Sequence, residues 1–84
     1  MQELILTRLV APLAESIKNG VVNPADMLRI KGFLPRLDED VHHELNDMLD
    51  YFDDAVEQED EDYAMKYMQK MVGFLEGHAL TLED

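Results

Sequence analysis

Between residues 36 and 59 the apolar side chains recur with one period only. At 100° per residue, Leu37, Val41, Leu45, Met48, Leu49, Phe52, Ala55 and Val56 share an arc of roughly 120°. The opposite arc holds Glu39, His43, Asn46, Asp47, Asp50, Asp53, Asp54 and Glu57. A strand, whose faces alternate every residue, would mix these two sets. The segment therefore reads as a helix of about 22 residues, ~33 Å long at 1.5 Å per residue, with one side for a core and the other for water.

The rest of the chain follows the same period. Residues 3–19 place Leu6, Leu9, Val10, Leu13 and Ile17 on one side and Arg8, Glu15 and Lys18 on the other, with Asn19-Gly20 as a stop. Pro12 interrupts this helix, because in a helix interior it removes a hydrogen bond and its ring collides with the preceding turn; a single kinked helix is expected. Asn23-Pro24-Ala25-Asp26 is a helix start: a side-chain acceptor, a proline in the first turn and an acid at the positive end of the dipole. The helix that follows ends near residues 32–34, ahead of Pro35. After Glu59-Asp60-Glu61-Asp62, with Asp60 or Asp62 as cap, residues 61–76 carry Ala64, Tyr67, Met68, Met71, Val72, Phe74 and Leu75 on one side. Gly77 is the expected stop and residues 78–84 a short tail.

No segment alternates as a strand does. The expected fold is all-α: one domain over residues 1–84, a small four-helix bundle with helices at about 3–19, 24–33, 36–59 and 61–76. The third and fourth helices form an antiparallel hairpin.

Charge is concentrated in one place. The 84 residues carry a formal net charge of −12, from 19 acids against 7 bases. Residues 38–62 contain thirteen of those acids and no Lys or Arg. Such a balance argues against direct binding to nucleic acid or to an anionic membrane, both of which demand positive charge. No apolar run approaches the ~20 residues that span a bilayer. With no cysteine, disulfides and thiolate metal sites are excluded. A cytoplasmic setting is the expectation.

Catalytic and metal-binding patterns are weak. His42 and His43 are adjacent and diverge by about 100° on a helix, and the string His42-His43-Glu44 lacks the second histidine, four residues from the first, that a helical zinc motif needs. His43 and Asp47 are four apart and within reach of one another, yet both histidines read as surface residues, and His78 as a helix-end residue. A calcium-binding helix-loop-helix needs a glycine at the sixth loop position, and residues 33–72 contain none. The paired carboxylates lie on a water-facing side with no pocket to separate their pKa values. No enzyme activity, cofactor or metal is expected.

The acidic face carries the functional expectation. Like charges at i,i+4, as in Asp50/Asp54 and Asp53/Glu57, are each unfavourable by about 0.2–0.5 kcal/mol, and a complementary basic surface would relieve them while steering association. Carboxylates spaced about 5 Å apart along a helix resemble, in sign and rough density, phosphates ~3.4 Å apart on one DNA strand. In size and charge the chain is similar to small acidic proteins, often phage-encoded, that imitate nucleic acid to inhibit an enzyme. The expected function is docking of Glu39, Asp40, Asp47, Asp50, Asp53, Asp54 and Glu57 on a basic protein surface, blocking a nucleic-acid-binding site. The alternative is a structural subunit or assembly adaptor acting through apolar faces, with Tyr67, Met68, Met71, Phe74 and Leu75 as the interface. The apolar arcs exceed what four short helices need for each other, so a homodimer is expected.

Overall fold

The structure is a computed structural model and describes residues 2–81. It contains four helical runs and, among the described residues, no strand. Helix α1 spans 2–18, α2 Pro24–Phe33, α3 Glu39–Glu57 and α4 Glu61–Thr81, with a 3-10 turn at Leu34–Arg36 between α2 and α3. The fold class is all-α.

Helix α1 is continuous through Pro12, and the proline is accommodated by a π-turn at Leu6–Val10. There the Ala11 N–H reaches back to the Leu6 carbonyl rather than to Thr7. The wider turn opens room at the Arg8 carbonyl, with which the ring would collide in a regular α-helix. It also corrects the expected core face. One extra residue in the turn rotates everything before it by about 100°, so Ile5 is fully buried beside Leu9, Val10 and Leu13, while Leu6 is only half-buried.

Asn23 caps α2 as its sequence requires: its side-chain oxygen accepts from the Ala25 N–H at 3.1 Å, with Pro24 in the first turn. Asp26 stands in the first turn as expected, and it is also the one buried charged residue among those described, 4% exposed. The Ser16 hydroxyl donates to one of its oxygens at 2.7 Å and the Arg29 guanidinium to the other at 2.6 Å, which ties α1 to α2.

The third helix starts at Glu39 rather than 36, because Leu34-Pro35-Arg36 closes a 3-10 turn first. It ends in a turn in which the Glu59 N–H bonds the Val56 carbonyl and the Asp60 N–H the Ala55 carbonyl. Asp60 then caps α4 through the Tyr63 N–H at 3.1 Å. Helix α4 runs through Gly77 to Thr81, so residues 78–81 are helix and not tail. A mid-helix glycine costs only about 1 kcal/mol, and the extension buries Ala79 completely beside Leu75. Residues 82–84 of the expected tail lie outside the described residues.

Leu45, Leu49, Phe52 and Ala55 of α3 and Ala64, Met68, Met71, Leu75 and Ala79 of α4 form the centre of the core. All three segments of α1 pack along α4, and α2 rests on the π-turn of α1. Met27, Ile30, Phe33 and Leu34 close the core from the α2 side.

Candidate functional site

Burial of one side of α3 dictates what its other side presents. With Leu45, Leu49 and Phe52 turned inward, Glu39, Asp40, Asp47, Asp50, Asp54 and Glu57 fall on the far side of the helix, within an arc of about 100°. All six are exposed, and Asp53 is exposed on the flank next to α2. From Glu39 to Glu57 the ridge is about 27 Å long.

Ion pairing along the ridge is sparse. Lys31 of α2 reaches Asp53 at 2.9 Å. The His43 imidazole lies 3.8 Å from Glu39, an ion pair only when the ring is protonated. Among the described residues these are the only basic partners of the seven carboxylates. Helix α3 has no basic residue in its last turn, so Asp54 and Glu57 stand at the negative end of its dipole. The carboxy-terminal end of the ridge is thus unfavourable to its own helix twice over, by mutual repulsion and by position, whereas Glu39 and Asp40 lie in the first turn, where the dipole favours them.

His43 turns toward Glu39 and not toward Asp47. Its ring and that of His42 are 6.1 Å apart at 45°, and among the described residues no group of three or more potential ligands is placed to hold a metal ion. His78 is half-buried and lies in the last turn of α4, near the helix end as expected.

The expected apolar interface divides in two. Met68, Met71 and Leu75 are fully buried in the protein's own core, leaving Tyr67 and Phe74 partly exposed at the α3–α4 seam. Tyr67 is the centre of a cluster that holds all three tyrosines of the chain. Tyr51 of α3 stacks on it at 5.3 Å, and Tyr63 meets it edge-on at 5.0 Å with the hydroxyls 3.4 Å apart. Lys70 lies 5.0 Å over the Tyr67 ring and Lys66 5.8 Å over Tyr63, both within cation–π range. Tyr51 and Tyr63 were not singled out by periodicity, because each sits at the edge of its helix's apolar arc. The signal lies in their placement about the turn: Tyr51 and Tyr67 are equally far from residue 59 and meet once the chain folds back.

No helix among the described residues is long and apolar enough to cross a membrane. Comparison of the chain with protein-family models, curated proteins and solved structures finds no match.

Proposed function

We propose that this chain is a non-enzymatic binding protein that docks the carboxylate-lined side of α3 on a basic protein surface and so blocks a nucleic-acid-binding site. The observation that carries the reading is the ridge itself: seven of the eight exposed carboxylates of α3, of which a lysine or arginine neutralises only Asp53. A cationic counterpart would remove a repulsion that the free protein offsets only at Asp53, through Lys31, and charge complementarity of this kind raises association rates. The reading takes α3 and α4 as an antiparallel hairpin in a four-helix bundle, supported by the Tyr51–Tyr67 contact across the turn, and the protein as cytoplasmic.

The test is capture from nuclease-treated host lysate on the immobilised protein at low salt. The expected result is retention of nucleic-acid-binding proteins that are released by added duplex DNA. A variant carrying Asp47→Lys, Asp50→Lys and Asp54→Lys with unchanged helicity should retain none of them. Equal capture by that variant overturns the reading.

A second reading rests on the tyrosine cluster. Aromatic side chains with polar tips are typical anchors of protein interfaces, and Tyr51 is 51% exposed. In this reading the chain is an assembly adaptor or homodimer joined through Tyr51, Tyr63, Tyr67 and Phe74. A dimer that persists in high salt favours it over the ridge.

A further inference from the structure

The chain contains three arginines, Arg8, Arg29 and Arg36, and all three line one cavity of about 470 Å³ where the π-turn of α1 meets α2 and the 3-10 turn. In a protein of net charge −12 this is a local inversion of sign. Among the described residues no carboxylate lines the cavity, whose walls are completed by Leu4, Phe33 and the open backbone of Gly32.

Two of the guanidinium groups are held in place. Arg29 is fixed by Asp26, which is itself buried and bonded to Ser16. Arg36 lies 5.4 Å over the Phe33 ring. Because Asp26 already balances Arg29, the cavity presents the uncompensated charges of Arg8 and Arg36 together with the free edge of Arg29. Guanidinium groups match phosphate oxygens in planar, paired hydrogen bonds, and a phosphate monoester carries close to two negative charges at neutral pH. The volume falls within the ~300–1,000 Å³ range of small-molecule sites, larger than a bare phosphate fills, and Leu4 and Phe33 provide apolar wall for the remainder.

From this we infer that the cavity between α1 and α2 is a binding site for a small phosphate monoester with an apolar or aromatic body. The site uses no residue of the α3 ridge and stands whether or not the ridge has a partner. Arg8 and Arg36 hold the phosphate, Arg29 is a third donor positioned by Asp26, and the body lies against Leu4 and Phe33.

The test is a titration of the isotopically labelled protein with phenyl phosphate, inorganic phosphate and phenol, following the amide signals of Gly32 and Phe33 and the arginine Nε–H signals. Saturable shifts are expected with phenyl phosphate, weaker binding with inorganic phosphate and none with phenol. The double variant Arg8→Gln/Arg36→Gln should bind phenyl phosphate at least tenfold more weakly. Gly32→Leu leaves the arginines in place, fills open space in the cavity and removes a mid-helix glycine, so it keeps the fold while displacing the body of the ligand. Absence of saturable shifts with phenyl phosphate, equal affinity in the double arginine variant, or equal binding of phenol each overturns the assignment.

Discussion

Glu59, at the end of α3, occupies the same left-handed backbone position that Gly20 occupies at the end of α1. Their φ angles are 58° and 67°. In both turns the left-handed residue bonds a carbonyl three residues back and the next residue bonds one five back: Gly20 to Ile17 and Val21 to Ser16, Glu59 to Val56 and Asp60 to Ala55. This is the helix stop for which glycine is the usual residue, and a residue with a Cβ is about 1–2 kcal/mol less comfortable there.

Glu59→Gly is therefore expected to stabilise the protein by about 1 kcal/mol, which for a domain of this size raises Tm by roughly 4–8 °C. Gly20→Ala should have the opposite effect. A Cβ at Gly20 would meet nothing within 4 Å, so any loss belongs to the backbone alone. Thermal unfolding of the two variants checks both signs.

Asp26 should be the most sensitive polar position. Asp26→Ala removes the acceptor of two hydrogen bonds, one of them to a charged donor, and is expected to cost about 2–3 kcal/mol. Arg29→Ala leaves the carboxylate bonded to Ser16. Arg29 itself is half exposed, but its loss strands a carboxylate that is only 4% exposed without its counter-ion, so the cost should be similar, about 2–3 kcal/mol. Urea unfolding in which Arg29→Ala cost nothing would mean that Asp26 does not depend on its guanidinium partner.

Reversing a ridge charge should stabilise the fold even as it weakens the docking proposed above. Asp54→Lys replaces the i,i+4 repulsion from Asp50 with an attraction and puts a cation in the last turn of α3. The sum is about 0.5–1 kcal/mol. An increase in Tm that shrinks on adding salt is the expected signature.

Tyr63 should lose its proton late. The Tyr67 hydroxyl accepts from Tyr63 and raises its pKa above the usual 10.0; burial and the neighbouring phenol act in the same direction, while Lys66 and Lys70 oppose them. The fold thus favours the neutral phenol. That stabilisation is complete below the pKa of the unfolded phenol and disappears as pH rises through the folded value. Ultraviolet titration should show one late step, and Tyr67→Phe should move it to lower pH.

The sequence made helix-forming segments legible because each carries its own period and punctuation. Asn23 and Asp60 cap the helices that follow them, and α3 has the polar and apolar sides its spacing predicts, except that Val56 of the apolar arc is exposed. The end of α4 was not legible, because Gly77 is overridden by the burial of Ala79, which depends on neighbours distant in sequence. Nor was the face of the first five residues, since a fixed 100° step has no way to register the wide turn ahead of Pro12. The acidic side of α3 could be read from residue numbers alone. By contrast, the tyrosine cluster and the arginine cavity bring together residues 16 or more positions apart, Tyr51 with Tyr67 and Arg8 with Arg29, and only the packing of helices creates them.

The π-turn has a consequence for how this chain tolerates change in length. Losing any single residue between 6 and 10 would let the segment close into an ordinary helix with every backbone bond intact. It would keep Ile5 on the core side, because the wide turn holds one residue more than an α-turn and its removal leaves the flanking turns in register, but it would drive the Pro12 ring against the preceding carbonyl. The extra residue thus serves the proline, and a deletion there should be tolerated once Pro12 is replaced by alanine.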